Sequence, residues 1–431
     1  MRTIDAQIQN WLAQHAEALT ETLAALVRIP SLVGQEGPAQ AFMRERYEEA
    51  GLEVTVFEAD RAALADHPAF VDSGIGFAGR PNVIGVWRGG GGGRSLILNG
   101  HTDVVSPEPV SEWRYPPFGA QVVPSGRHGR MYGRGTQDMK AGLIANLFAV
   151  RALQACGIRL KGDLILQSVI EEEAGGGGGT LACFAQGYRA DGFIATEPHW
   201  RDVCIAHPGV FYFRIVVPGR SAHAGRAHEG VNAAFEAVPI LLMLQAWDRE
   251  RAERVHFEAF ERLDPAVRRS CHLNVGVVRA GDWPSTVPGQ ATIEGRLSFV
   301  PGERAAEVKR ELEARLHAVA EQSSWLRDHP PQVTYFGWHT EPWVQDDAHP
   351  FVQSFLACLD MLEVVHPKPV LAGTTAGLDT RFASLFGVPA LAWGPKGAGL
   401  HGVDEYVELD SVLDCARVLA VFAAYWCGVC S

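Results

Sequence analysis

Five histidine and acidic residues stand where a two-metal hydrolytic site would need them. They are His101, Asp138, Glu173, Glu197 and His401. Each lies at the end of an apolar, strand-like segment or in the loop that follows one, and two further acids, Asp103 and Glu172, stand beside them. Imidazole nitrogen and carboxylate oxygen suit zinc, and one carboxylate can bridge two ions roughly 3.5–4 Å apart. These residue types predict metal-dependent hydrolysis and leave the substrate open.

The segment LILNGHTDVV places His101 and Asp103 at the end of a buried strand, where open α/β sheets hold their sites. Residues two apart on a strand share a face. We therefore expect the Asp103 carboxylate to accept the imidazole N–H and leave the other nitrogen for a metal. A structural His–Asp pair in a loop is the alternative.

The other segments carry acids or a histidine in turns. Three consecutive glutamates in SVIEEEAGGGGGT repel one another unless a cation is present, so this turn is the most specific signal. Asp138 in GRGTQDMKAG is either a helix N-cap or a ligand. Glu197 in ATEPHW and His401 in GPKGAGLHGVDEYV each have an ordinary structural interpretation alone. The coincidence of all five favours a metal site.

The elements that would position these residues follow an α/β pattern. NVIGVW, SLILNG, DLILQSVI and DGFIATEP are apolar runs typical of buried strands, and MKAGLIANLFAVRALQACG has helical period. This alternation predicts a doubly wound sheet. The run RGGGGGR lacks the lysine and the following helix of a phosphate-binding loop, so a hairpin turn is predicted there.

The pattern changes after residue 208. Alternating strands and two helices then predict a small α+β sandwich, and α/β character resumes near PPQVTYFGW. We therefore expect a mixed-sheet α/β catalytic domain formed by residues 1–208 and 326–431, with an α+β domain inserted at residues 209–325.

Composition narrows the class of protein. A net charge of −12 with scattered basic residues disfavours nucleic-acid binding. The first residues predict an amphipathic helix and no secretory signal, and no apolar run approaches the ~20 residues of a membrane span, so a cytoplasmic enzyme is expected. The eight cysteines lack framework spacing and are expected to be reduced; Cys427 and Cys430 form a lone CxxC, which is a weak zinc or redox signal.

These motifs resemble the zinc-dependent amidohydrolase and exopeptidase family of acetylornithine deacetylase, succinyl-diaminopimelate desuccinylase, aminoacylase and carboxypeptidase G, over nearly the whole chain. The resemblance implies two divalent ions, zinc first with cobalt or manganese as alternatives, bound by the five residues above with Asp138 as the bridge. It also implies that Asp103 orients His101, that Glu172 is the general base, and that the Asp138–Met139 peptide bond is cis.

The inserted domain resembles the family's lid and dimerisation domain. Its GRSAHAG motif implies that His223 reaches the active site of a partner subunit in a homodimer. The HLNVG, EGRLSFVPGE and GTTAGLDTRF stretches imply substrate contacts. These are Asn274, Arg296, Gly373 and Thr374, with Asp379 and Arg381 near the pocket. The chain departs from the family where an extra Ala-Gly-Leu precedes that aspartate, and where STVP replaces Asn-Val-Ile-Pro.

The predicted function is deacylation of an N-acyl amino acid or a related small N-acyl amine. Metal-activated water attacks the amide, Glu172 transfers the proton, and the ions and His223 stabilise the oxyanion. An exopeptidase of dipeptidase or carboxypeptidase type is one alternative, and a deformylase or deaminase of a small heterocycle is another. A metal-binding protein without catalysis is the alternative class, and the presence of Glu172 argues against it.

Overall fold

Periodic apolar segments of the chain become strands and helices in the order that the sequence predicts. The computed structural model describes residues 2–262 and 266–430. The helices in this part of the chain are α1 Arg2–Gln14, α2 Ala16–Val27, α3 Gly37–Glu49, α4 Arg61–Leu64, α5 Ala141–Ala155, α6 Ala182–Ala185, α7 Ala233–Arg254, α8 Glu258–Glu261, α9 Ala305–Ala320, α10 Pro350–Leu362, α11 Thr380–Leu385 and α12 Leu409–Cys427.

The strands are shorter and more numerous. They are β1 Glu53–Phe57, β2 Asn82–Trp87, β3 Leu96–His101, β4 Gln121–Val123, β5 Arg130–Tyr132, β6 Leu164–Val169, β7 Phe193–Ala195, β8 Asp202–His207, β9 Gly209–Pro218, β10 Ala222–His223, β11 Leu273–Ala280, β12 Thr286–Val287, β13 Gln290–Phe299, β14 Gln332–Thr340, β15 Trp343–Val344, β16 Val370–Gly373, β17 Ala390–Ala392, β18 Gly397–Ala398 and β19 Tyr406–Glu408.

The chain divides into two units, and the first comprises residues 1–205, 345–371 and 378–431. Its main sheet has the order β1–β2–β6–β3–β7–β17–β8. Strand β3 is parallel to β6 and β7, whereas β2 is antiparallel to β6, so the sheet is mixed. Strands β3, β6 and β7 are buried along their whole length, and most of helix α5 is buried in the same hydrophobic cluster as α12. This confirms the predicted α/β fold class.

The predicted hairpin at the RGGGGGR run is wrong. Strand β6 lies between β2 and β3 and pairs with both, so the run crosses over a strand. The backbone N–H of Gly89 donates to Asp163 Oδ1 at 2.8 Å, and a Cβ on Gly89 would lie 2.3 Å from the Lys161 carbonyl oxygen. Gly89 therefore allows close packing against the turn before β6.

The second unit comprises residues 206–344 and 372–377. Its antiparallel sheet has the order β11–β13–β9–β14, and side chains from β9 and β13 pack with those of helices α7 and α9 in one hydrophobic cluster. This is the α+β domain that the sequence predicts within the α/β fold. The predicted return to α/β character at residue 326 differs from the structure, because β14 pairs with β9. Val333 and Tyr335 of β14 pack against the cluster, so its alternation serves the second unit.

Most of the cysteines lie in the interior of the protein. Six of the eight are buried, and Cys156 and Cys430 are partly buried. Among the described residues, no helix combines the length and the hydrophobicity needed to cross a membrane.

Candidate metal centre

The turns that carry the candidate ligands follow strands at one edge of the main sheet. Strand β3 ends at His101, β6 ends just before the three glutamates, and β7 ends two residues before Glu197. Because β3 is parallel to both β6 and β7, their carboxyl ends meet at the same edge. Asp138 stands in an irregular turn that leads into α5.

Asp138 lies between two histidines. Its Oδ1 is 3.1 Å from His101 Nε2, and its Oδ2 is 3.2 Å from His401 Nε2. A carboxylate whose two oxygens face two different imidazoles has the geometry of a bridging ligand. The Asp138–Met139 peptide bond is cis, as the resemblance implies.

Each histidine is accompanied by a second carboxylate. Glu197 Oε1 lies 3.7 Å from His101 Nε2, and Glu173 Oε1 lies 3.1 Å from His401 Nε2. Donor atoms of His101, Asp138 and Glu173 all lie within 4.8 Å of one another. The structure therefore brings together all five predicted ligands as two sets of one imidazole and one glutamate that share Asp138.

Asp103 contacts His101 differently from the expectation. The imidazole Nδ1 lies 2.9 Å from the backbone carbonyl oxygen of Asp103 and 3.5 Å from its carboxylate Oδ1. The other carboxylate oxygen accepts the backbone N–H of Glu173 at 3.0 Å. Strand β3 ends at His101, so Asp103 lies beyond the strand and the two-residue alternation no longer applies. Asp103 thus ties the His101 loop to the Glu173 loop.

Titratable groups are concentrated in this cluster. Burial would lower the pKa of His101, but the Asp103, Asp138 and Glu197 carboxylates outweigh it and raise that pKa well above its ordinary value. Hydrogen bonds to Asp138 and Glu173 raise the pKa of His401 to about 10.

The pKa values of the ligand carboxyls are shifted in opposite directions. Burial, together with Asp138, raises the pKa of Glu173 to about 7, and burial raises the pKa of Glu197 well above its usual range. Burial would also raise the pKa of Asp138, but hydrogen bonds to His101 and His401 outweigh it and lower that pKa. Such a donor set, rich in closely spaced acids, fits divalent cations.

The three consecutive glutamates have different surroundings. Burial and the nearby Asp379 raise the pKa of Glu172 well above its ordinary value, and the other charges acting on it are His101, Glu197 and Glu173. Glu171 is fully buried and its backbone has a φ of +66°. Burial raises the pKa of Glu171 to about 7, with Arg80, Asp103 and Glu36 as the charges around it. The ligand carboxylates and His101 therefore act on the Glu172 charge, whereas Glu171 is influenced mainly by its own burial.

Asp379 and Arg381 brace the glycine-rich turn after these glutamates. Asp379 Oδ2 accepts a hydrogen bond from Thr180 at 2.6 Å, and the Arg381 guanidinium donates to the Gly175 carbonyl at 2.6 Å. Both side chains are buried. The family resemblance implied that Asp379 and Arg381 lie near a substrate pocket. In the structure their hydrogen bonds hold the glycine-rich turn in position.

Glu405 is a site residue for which the sequence predicted no role. Its buried carboxylate accepts from Arg134 at 2.6 Å and from the backbone N–H groups of Gly135, Gln137 and Asp138 at 2.8–3.1 Å. It therefore holds the loop that presents Asp138. The only local signal was its position four residues after His401.

The remaining predicted residues belong to the second unit. His223 is exposed, and its Nδ1 accepts the backbone N–H of Gly225 at 3.1 Å. Asn274 and Arg296 are paired across β11 and β13. Thr374 donates its backbone N–H to the Ala206 carbonyl at 2.9 Å, and a Cβ on the neighbouring Gly373 would lie 2.3 Å from the Phe260 ring.

Known proteins are similar to this chain in sequence and in fold. The sequence pattern of peptidase family M20/M25/M40 matches residues 97–425. The N-formyl-4-amino-5-aminomethyl-2-methylpyrimidine deformylase of Halalkalibacterium halodurans is 28% identical over 434 residues, covering 95% of this chain and 94% of that protein. The succinyl-diaminopimelate desuccinylase of Xanthomonas campestris pv. campestris is 28% identical over 334 residues, covering 74% of this chain and 80% of that protein.

A solved structure shows the same architecture. The M20 family metallo-carboxypeptidase of Sulfolobus solfataricus has a TM-score of 0.73 at 17% identity, covering 95% of this chain and 99% of that one. The chain belongs to peptidase family M20/M25/M40, and it is a metal-binding hydrolase. The resemblance drawn from its motifs is confirmed.

Proposed function

We propose that the protein removes the acyl group from a small N-acyl amine, using two divalent ions, with zinc as the expected metal. The observation that carries this proposal is the Asp138 carboxylate, which lies between His101 and His401 at 3.1 and 3.2 Å while one glutamate accompanies each histidine. His101, Asp138 and Glu197 would hold one ion. Asp138, Glu173 and His401 would hold the other.

Bound divalent ions would polarise the amide carbonyl and make water acidic enough to be deprotonated near neutral pH. Glu172 is the residue suited to move the proton. Its carboxylate, next in the chain to the predicted ligand Glu173, would take a proton from water and pass it to the leaving nitrogen. The Asp103 and Glu405 contacts hold the His101 and Asp138 loops in place for this step.

The test of this mechanism is Glu172→Gln. The amide keeps the shape and cannot take the proton, so we expect turnover to fall at least ~10²-fold with metal content unchanged. Glu171→Gln is the register control and should stay within a few-fold of wild type in turnover. The opposite pattern, a large loss for Glu171 and little for Glu172, would contradict the assignment.

The number of ions is testable separately. Metal analysis after dialysis should give more than one ion per chain, with zinc, cobalt or manganese restoring activity to stripped protein. Absence of metal together with no rescue by any of the three would overturn the two-ion proposal.

A second candidate is deformylation of a heterocyclic amine. The end-to-end match to a pyrimidine deformylase favours it, because that relative and this chain cover each other almost completely. Rates on N-formyl, N-acetyl and N-succinyl amines and on dipeptides, with each metal, would rank the two candidates. Dipeptides as the best substrates would favour the exopeptidase alternative.

We also propose a homodimer formed through the inserted domain. Helix α7 carries Phe235, Val238 and Leu242 at a spacing that places them on one face, and all three are exposed, Phe235 by 73%. Phe235→Glu should shift the molar mass measured by light scattering from two chains to one. A wild-type protein of one chain would refute the proposal.

His223 is proposed to act in the partner's active site. Mixing the inactive variants His223→Ala and Glu172→Gln should restore part of the activity if each subunit completes the other's site. No recovery despite proven subunit exchange would show that His223 does not act across subunits. The expected cytoplasmic location stays a prediction, and cell fractionation would check it.

A further inference from the structure

The first unit contains a cavity that is separate from the candidate metal centre. It is lined by residues of helices α1 and α12 and of the turn that joins β4 to β5, and its volume is about 340 Å³. Small-molecule sites in proteins have volumes of roughly 300–1,000 Å³. None of the residues that line this cavity is one of the five proposed metal ligands.

One wall of the cavity is a turn that is fixed to the beginning of α12. Asp410 accepts the backbone N–H of Arg127 at 2.8 Å through Oδ2, and His128 Nδ1 lies 2.5 Å from Asp410 Oδ1. Gly126 has a φ of +59°, and a Cβ there would lie 2.4 Å from Asp410 Oδ2. Both oxygens of Asp410 are therefore occupied, and the position of the Arg127 backbone is set by them.

Helix α12 presents three charged side chains to the cavity, and one of them has no partner. Asp410, Asp414 and Arg417 are separated by four and three residues, which places them on one face of the helix. Arg417 donates to both oxygens of Asp5, at 2.6 and 2.8 Å. Asp414 is half-buried, and among the described residues no hydrogen-bond donor or cation lies within bonding distance of its carboxylate.

The Asp414 carboxylate has lost water without gaining a partner. Burial raises its pKa, and Arg417 is the charge that opposes this shift most strongly. A partly desolvated carboxylate is stabilised by a charge-assisted hydrogen bond from a cation. The surroundings of Asp414 therefore favour a ligand that carries an ammonium group.

Arg127 is an unpaired group of the opposite charge in the same cavity. Its side chain is exposed, and no carboxylate of the described part of the chain, that of Asp414 included, lies within ion-pair distance of it. A guanidinium presents two parallel N–H donors that match a carboxylate. One cavity thus contains an acid and a base that do not pair with each other, which suits a ligand that carries both charges.

The rest of the lining determines what else such a ligand would contain. Leu12, Ala13 and Leu413 contribute apolar surface beside the charged groups. The two acids of α12, Asp410 and Asp414, disfavour a phosphate or another polyanion by repulsion. A small zwitterion with an aliphatic group is the chemistry that these side chains fit.

We propose that this cavity binds an α-amino acid with an aliphatic side chain. Its ammonium group would contact Asp414 and its carboxylate would contact Arg127, while its side chain would pack on Leu12 and Leu413. The proposal goes beyond the proposed deacylase function and does not depend on it, because every residue it uses lies outside the metal centre.

The test is calorimetric titration of the metal-loaded protein with L-leucine, 3-methylbutylamine and 4-methylpentanoate. The amine is leucine without its carboxylate, and the acid is leucine without its ammonium group. Leucine should bind at one site per chain, and each analogue should bind at least about tenfold more weakly because it loses one charge-assisted contact. Absence of leucine binding, or equal binding of leucine and either analogue, would overturn the proposal.

Two charge variants assign the two contacts. Asp414→Asn keeps the shape of the side chain and should remove the discrimination between leucine and 4-methylpentanoate. Arg127→Gln should remove the discrimination between leucine and 3-methylbutylamine. Arg159→Gln is the matched control, since Arg159 is an exposed arginine of the same unit outside the cavity, and it should bind leucine as wild type does.

A third variant blocks the cavity without changing any charge. Ala13 lies at an exposed position of α1, so Ala13→Trp should leave the fold intact and fill the space that the leucine side chain would occupy. We expect it to abolish leucine binding. Binding that persists unchanged in Ala13→Trp, Asp414→Asn and Arg127→Gln would place leucine elsewhere, for example on the metal ions, and would reject the site.

Hydrogen exchange locates the ligand independently of these variants. The backbone N–H of Leu409 donates to the Gly129 carbonyl at 3.0 Å, and β19 pairs with β5, so the turn and α12 are joined by these two strands. A ligand that links Arg127 to Asp414 should slow amide exchange in β5 and β19. Exchange there that is unchanged at saturating leucine would contradict the proposed location. A protein that hydrolyses no amide would still give these binding results, so failure of the proposed function is distinguishable from failure of this site.

Discussion

Metal binding should release protons, and the structure predicts how many. In the metal-free protein at pH 7, the raised pKa values of His101 and His401 mean that both imidazoles hold a proton. The pKa of Glu173 is about 7, so this carboxyl is partly protonated at pH 7, and burial shifts the pKa of Glu197 in the same direction. Metal ligands must be deprotonated, so filling both sites should release at least about two protons, those of the two imidazoles.

The number of protons released determines the sign and size of the pH dependence of metal affinity. The apo protein binds more protons than the loaded protein, so the affinity for metal rises with pH. Each proton released contributes a factor of about ten per pH unit, so two protons give at least roughly a 10²-fold rise for the pair of ions between pH 6.5 and 7.5. Because the pKa of His401 is about 10, the rise should continue above neutral pH.

Calorimetric titration with Co²⁺ in two non-coordinating buffers of different protonation enthalpy measures the proton count directly. His401→Asn should lower the count by about one. His256→Asn, which changes an exposed histidine of the second unit, should leave it unchanged. A release of fewer than one proton, or an affinity that is flat between pH 6.5 and 7.5, would refute the reasoning.

Three stability predictions follow from the elements that carry the site, each measured by urea unfolding of the metal-free protein. Glu405→Gln leaves the buried Arg134 guanidinium without its carboxylate and should lower the free energy of unfolding by about 3 kcal/mol. The control Glu53→Gln, in an exposed pair with Arg88, should lower it by less than about 1 kcal/mol. Equal losses would contradict the proposed support of the Asp138 loop. Gly142→Ala places a Cβ 2.2 Å from the Thr196 carbonyl oxygen and should cost more than about 2 kcal/mol, while Gly76→Ala, with open space around it, should be nearly neutral. Burial lowers the pKa of Lys140 to about 7. Above this pH the unfolded chain holds a proton on Lys140 that the folded chain lacks, so the free energy of unfolding should rise by roughly 2 kcal/mol between pH 7 and 9. Lys140→Met should remove that rise.

Local features of the sequence were sufficient to predict the residues of the metal centre and the fold class. Apolar runs identify buried strands, and the residue that follows the carboxyl end of a parallel strand lies at the same edge as its counterparts. His101, Glu173 and Glu197 could therefore be placed together from the residues around each of them. Their side-chain types, imidazole and carboxylate, indicated a metal site from the sequence alone.

Contacts between distant segments were decided only by the tertiary structure. Nothing near the RGGGGGR run indicates that β6, some seventy residues later, inserts between β2 and β3. Nothing near β14 shows that it pairs with β9. The role of Glu405 depends on a loop about 270 residues away. Strand order, buried ion pairs and bulges are set by which apolar faces pack together, a property of the whole chain that periodicity within a short window does not contain.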